Sequence, residues 1–241
     1  MKYTYLLVNI FSVIVPFIFS FHPKLRFDKF FKAYFSANII SAICFMAWDS
    51  FFVSKGIWGF NIDYILGIEI FHLPIEEILF FFCIPFACIF TYHCITKFFQ
   101  IEWNKKFENG FILFLSFGLL IIGLFHFDKS YTSATFISTG LMILCLKFVF
   151  KVDWLPKIFS VYLILLIPFF IVNGILTGYF TEKPVVWYNN AENLHIRLLS
   201  IPIEDVFYGF ELIILTIFIY EKLKTVFYKS KNLHHENIKS L

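Results

Sequence analysis

The chain has 241 residues, of which 59% are hydrophobic and 15% charged, and its formal net charge is +3. A soluble domain averages ~45–50% apolar and ~25% charged residues, so this chain lacks the polar material to cover a folded surface in water. Its 37 phenylalanines suit lipid as the solvent, and no long basic run with interleaved polar residues marks nucleic acid as a partner.

Taken in chain order, the apolar stretches long enough to span a bilayer are Tyr5 to Phe21, Ala33 to Val53, Ile75 to Thr96, Gly110 to Phe127, Ala134 to Phe150, Ile158 to Phe180 and Ile203 to Tyr220. The predicted fold is all-α, a polytopic membrane protein of about seven transmembrane helices. The N-terminal run follows a single Lys2 and has no small-residue cleavage site, so it reads as a span and not a signal peptide. Seven spans put the first, third and fifth loops on one side with the C-terminal tail. That side collects most of the basic residues, from Lys24, Arg26, Lys29 and Lys32 to Lys222, Lys224, Lys229, Lys231 and Lys239. The other side has Lys2, Lys55, Lys129, Lys183 and Arg197. The positive-inside rule then predicts a cytoplasmic C-terminus, an external N-terminus and the cell (inner) membrane as location. Cys44, Cys83, Cys88, Cys94 and Cys145 fall in apolar stretches without a C-x-x-C pair and are expected to be buried, inert side chains.

The chain repeats. FHLPIEEILFFF at 71–82 matches LSIPIEDVFYGF at 199–210. Trp58 and Trp187 lie in the connectors upstream, and Asp49 beside Trp48, or Asn173 beside Gly174, lies near the end of the preceding span. The third span maps on the seventh and the second on the sixth, a shift by an even number of spans, so the copies are parallel pseudo-repeats. The expected division is 1–109 (three spans, PIEE), 110–225 (four spans including a linking one, PIED) and 226–241 (a basic cytoplasmic tail).

Pro74 and Pro202 sit where a helix begins, which leaves Glu76, Glu77, Glu204 and Asp205 in the first turns, where the positive helix end favours carboxylates. One copy of this pattern is explained by helix-start stability. Two copies, each followed at once by an apolar run, need a further reason, because acids in a span are costly. Neighbouring residues point ~100° apart, so one carboxyl of each pair can face the bundle while the other faces the connector. Asp49, Asn173 and both pairs come to one membrane face, and a pseudo-symmetric bundle would point them at a shared cavity. A protonated acid beside an ionised base would serve proton delivery and removal. Phe81 and Tyr208, at i+4 from Glu77 and Glu204, are candidates to stabilise a cation.

The tandem LPIEEILFFF and IPIEDVFYGF, with AWDSFF, GIWGF, VNGILTG and VVWY upstream, resembles the membrane-integral lycopene cyclase family, found as two small subunits in some bacteria and as one fused cyclase domain in others and in fungi. The resemblance runs from the first span to about Glu221; the phytoene synthase domain of the fungal fusions has no counterpart up to Leu241. It implies lycopene β-cyclase activity, an isomerase reaction that closes linear carotenoid end groups to β-ionone rings without net oxidation. Carried over by position, it places the catalytic acid and base among Glu76, Glu77, Glu204 and Asp205. The substrate-binding set is Asp49, Asn173, Trp48, Trp58, Trp187, Phe81 and Tyr208. The partners it implies are a lipid-soluble carotenoid and membrane lipid, with room for association with other carotenoid enzymes. Which carboxyl gives the proton, and whether the substrate is lycopene or a longer carotenoid, stay open.

Other membrane functions fit less well. A rhodopsin needs a Schiff-base lysine in the last span, and Ile203 to Tyr220 has none. Iron hydroxylases need clustered histidines, whereas His22, His72, His93, His126 and His195 are scattered and His234-His235 sits in the tail. His72 and His195 flank the two motifs and are candidate proton relays. No aspartate-rich diphosphate motif and no G-x-G occur, so neither a metal nor a dinucleotide cofactor is expected. The alternative is a small transporter with an intramembrane carboxylate site, against which stands the reading that no Gly or Pro interrupts the spans at mid-depth.

Overall fold

The computed structural model describes residues 2–239, with side chains through Tyr228. It contains seven α-helices: α1 Thr4–Phe19, α2 Phe31–Ser54, α3 Ile75–Phe98, α4 Lys105–Phe125, α5 Ser130–Leu144, α6 Leu155–Leu176 and α7 Ile203–Lys239. A π-helical turn, Cys145–Val149, prolongs α5. Five helical stretches, those containing α2 through α6, are long and apolar enough to cross a membrane. The first helix is apolar but only 16 residues long, and α7 carries Glu204, Asp205 and Glu211 within its first turns. The outer surface is greasy, with Phe11, Phe114, Phe125 and Phe127 each more than two-thirds exposed. Continuous apolar surface of this kind is what lipid covers.

The expected spans differ from the helices mainly at their ends. The last one does not stop at Tyr220: α7 runs to Lys239, so the segment expected as a separate tail continues a helix. The side chains of Lys229, Lys231, His234, His235 and Lys239 lie outside the described residues, as do Met1, Ser240 and Leu241. Cys44 and Cys145 are exposed on the outer surface and not buried; Cys88 is buried. Pro85 and Pro168 stand inside α3 and α6, which corrects the reading that the spans are uninterrupted.

Six short strands join the helices in the connectors: β1 Trp58–Phe60, β2 Glu69–Ile70, β3 Leu73–Pro74, β4 Val186–Tyr188, β5 Arg197–Leu198 and β6 Ile201–Pro202. Hairpins β2–β3 and β5–β6 end on Pro74 and Pro202, and α3 and α7 start at the next residue, Ile75 and Ile203. Proline has no N–H to lose there and its fixed φ suits the turn into a helix. The backbone bonds repeat as well: the Ile75 N–H donates to the Ile68 carbonyl at 2.9 Å, and Ile203 to Ile196 at 3.0 Å. Asn61 and Asn189 each cap a one-turn helix, Ile62–Tyr64 and Asn190–Glu192.

The two copies meet through β1 and β4, which pair antiparallel with Trp58 opposite Tyr188, Gly59 opposite Trp187 and Phe60 opposite Val186. Trp58 is the repeat equivalent of Val186, and Phe60 of Tyr188. Each copy therefore offers the same strand to the other in reverse, the signature of a two-fold axis. The flanking bonds obey it: the Asn61 N–H donates to Val185 and the Asn189 N–H to Ile57, both at 2.8 Å. At the axis the Trp187 indole lies flat on Gly59, where a Cβ would come within 2.5 Å of the ring. Beneath this strand pair, α3 and α7 form the centre, with α1 against α3, α5 against α7 and α2 across to α7. The linking helix α4 packs on the outside of α5, where Gly123 and Gly140 allow close approach.

Candidate active site

Below β1 and β4 lies a cavity of about 780 Å³, walled by α1, α3, α6 and α7 and mostly apolar. Three carboxyls line it: Asp49, Glu77 and Asp205. Glu76 and Glu204 do not, although both are fully buried. The Glu76 carboxyl turns back to accept the Leu66 N–H at 2.7 Å, and Glu204 accepts the Leu194 N–H at 2.8 Å. Thr132 on α5 adds a hydroxyl bond to Glu204 at 2.6 Å. One acid of each pair thus fastens the connector to its helix start while the next, a third of a turn on, faces the cavity.

The cavity carboxyls are held by phenols. Tyr5 on α1 donates to Glu77. Tyr208 on α7 donates to Asp49 at 2.5 Å. Asp205 accepts two hydroxyls, from Tyr131 on α5 at 2.6 Å and from Tyr188 on β4 at 2.9 Å. Burial and the neighbouring Asp205 carboxylate push the Tyr188 phenol well above the usual tyrosine range, so Tyr188 stays a donor. Aromatic faces surround these groups. The Trp58 ring lies 5.0 Å from Tyr131 and 6.2 Å from both Tyr188 and Tyr208, measured between centroids. Phe60, Phe80 and Phe169 complete the apolar wall.

The family model described as "Lycopene cyclase" matches residues 2–95 and 128–223. The chain belongs to the lycopene cyclase family. The two matched stretches are the two structural copies, each containing its proline–carboxylate motif, and α4 falls in the gap between them. No curated protein and no solved structure matches the chain. Membership in the family, with the apolar helices, makes this a multi-pass membrane protein of carotenoid biosynthesis.

Within this family framework the sequence-predicted residues divide. Asp49, Glu77, Asp205, Trp58, Tyr208 and Asn173 line the cavity. Asn173 stays apart from the carboxyls and returns its amide to the Phe169 carbonyl at 3.3 Å. Trp48, Trp187 and Phe81 do not line the cavity. Trp48 is the helical neighbour of Asp49 and points a third of a turn away, to pack on Phe45 and Tyr208. Side chains alternate along a strand, so Val186 and Tyr188 face the cavity and Trp187 faces out over Gly59. Phe81 is buried between α2 and α7 with Phe45 and Leu212, and Phe80 takes the cavity face. His72 and His195 are exposed in the connectors, away from the cavity. Sequence reasoning missed Tyr5, Tyr131 and Tyr188, and also Glu211, a buried acid that accepts Ser138 at 2.7 Å and Thr139 at 2.9 Å.

Proposed function

We propose that this chain is a lycopene β-cyclase with a redox-neutral mechanism run by the cavity carboxyls. The observation that carries the reading is the placement of one motif acid from each copy, Glu77 and Asp205, on a single apolar cavity. Asp49 and Glu77 face the same apolar cavity, and this pair is assigned as the proton donor. It protonates the terminal alkene of an acyclic end group. The resulting tertiary cation is attacked by the nearer internal double bond, which closes the six-membered ring and moves the charge within it. Asp205, on the same cavity and held by the Tyr131 and Tyr188 hydroxyls, removes a ring proton to leave the double bond of the β-ring. One proton enters and one leaves, so substrate and product are isomers. The faces of Trp58, Tyr131 and Tyr208 stabilise the cation between these steps.

The same reading takes seven spans with the N-terminus outside and the C-terminus cytoplasmic. It divides the copies at 1–109 and 110–225, with 226–241 beyond them, and treats the reaction as needing neither metal nor dinucleotide. Glu76 and Glu204 become positioning residues that fix the connectors. Pro85 within α3 and Pro168, which lines the cavity from α6, are the features that favour a transporter as second reading. Membranes containing the protein, incubated with lycopene in deuterated water, separate the two. The expected products are monocyclic and then bicyclic β-ring carotenoids with one deuterium per ring. Unchanged lycopene would reject the cyclase reading, and product without deuterium would reject protonation by an exchangeable carboxyl.

A further inference from the structure

The cavity extends well beyond its carboxyls. Its three carboxyls gather near the β1–β4 end, while the lining continues along α3 from Glu77 through Ile84 and Ala87 to Thr91. That is about four turns of helix, roughly 21 Å. Opposite this floor, Phe11 and Val15 of α1 and Pro168 and Ile171 of α6 line the same space and are exposed on the outer surface. The groove is therefore open along its side, between α1 and α6, towards lipid.

The two-fold axis demands an equivalent cleft between α5 and α2, and that one is closed. Tyr5 and Tyr131 are equivalent donors to the two cavity acids, which makes Ile137 the counterpart of Phe11. Ile137 is covered by α4 at Gly123. Beside it, Phe136 packs on Phe207 at 5.0 Å, Ser138 and Thr139 bind Glu211, and Ser41 of α2 meets Thr216 of α7 at 2.8 Å. Among the described residues, α2 reaches the cavity through Asp49 and α5 through Tyr131. The linking helix thus breaks the symmetry of access as well as of sequence.

We propose that the α1–α6 cleft is the portal by which a linear polyene enters from the membrane, and that the groove down to Thr91 holds its tail while one end group lies at the carboxyls. The inference rests on the cyclase reading and deepens it. An apolar channel with acids at one end suits a long hydrocarbon whose reacting group is terminal. With one open side, the second end group reaches the carboxyls after release and re-entry.

The test compares lycopene with a polyene that keeps the same acyclic end group but is truncated to end short of Ala87. Thr91→Phe fills the far end of the groove. It should lower kcat/KM for lycopene ~10-fold or more and change that for the truncated polyene by less than ~2-fold, since filling a hydrophobic subsite discriminates on this scale. Ala87→Leu, one turn nearer the acids, is a milder variant read in the same way, in case Thr91→Phe does not fold. Leu163→Trp, on the outward face of α6, should leave both substrates unaffected. Equal effects on both substrates in Thr91→Phe and Ala87→Leu, or no effect on lycopene, would overturn the portal. A wild-type protein inactive on both substrates would instead overturn the cyclase reading, and the portal with it.

Discussion

Tyr208 on α7 donates its hydroxyl to Asp49 on α2 at 2.5 Å, a bond that ties the second copy to the first inside the cavity. Tyr208→Phe keeps the ring and removes the donor. A hydrogen bond to a charged or proton-sharing group contributes ~1.5–3 kcal/mol, so turnover of lycopene should fall ~10-fold or more at unchanged protein level. Full activity in this variant would take the bond out of the chemistry.

The two acids of each motif should separate in kinetics. Glu77→Gln and Asp205→Asn keep shape but cannot cycle a proton, and each should cost ~100-fold or more in turnover, the scale of general acid–base catalysis. Glu76→Gln and Glu204→Gln can still accept the Leu66 and Leu194 N–H groups, so they should cost ~1 kcal/mol of stability and less than ~10-fold in rate. Initial rates and melting curves of the four proteins decide; equal rate losses at all four positions would contradict the division of roles.

A different kind of bond docks α4. Glu108 is buried and paired with Lys147 of the π-turn at 2.5 Å and with Lys105 at 3.1 Å. The two lysines reach solvent, Lys105 for most of its length, so the pair contributes on the scale of a partly exposed bridge, ~1 kcal/mol. Glu108→Ala should therefore lower thermal stability in detergent by about 1 kcal/mol, with cyclisation retained at low temperature. A melting temperature equal to that of the parent would show that α4 is held by its apolar contacts alone.

Topology is checked independently of activity. A reporter fused after Leu241 should read as cytoplasmic and one fused before Met1 as external. Both termini on the same side would contradict seven spans, and with it the common face on which the acids are placed.

The repeat, the helix starts at Ile75 and Ile203 and the inward–outward split of each acidic pair were legible in the sequence. All three follow from local rules: proline before a helix, carboxylates in a first turn, and 100° between neighbours. The phenols were not legible. Tyr5, Tyr131 and Tyr188 come from α1, α5 and β4, and their meeting with the acids depends on how the copies pack, about which an isolated tyrosine in an apolar stretch says nothing. Trp187 lies off the cavity although its two neighbours face it. Whether a side chain on a three-residue strand points in or out is set by the strand's partner, and the partner lies in the other copy.

Gly59 and Trp187 occupy the same position in the two copies, and the axis passes between them. A residue on an axis of this kind faces its own equivalent, so the two identities must be chosen together. Two first copies would set glycine against glycine and leave a void; two second copies would bring tryptophan onto tryptophan where there is space for one ring. Each half is therefore built to refuse a twin and accept a stranger. Cut in the α4 region and expressed as two polypeptides, the halves should assemble as unlike pairs, and the mass of the complex reads this directly. Recovery of like pairs would show that the crossing at Gly59 does not choose the partner.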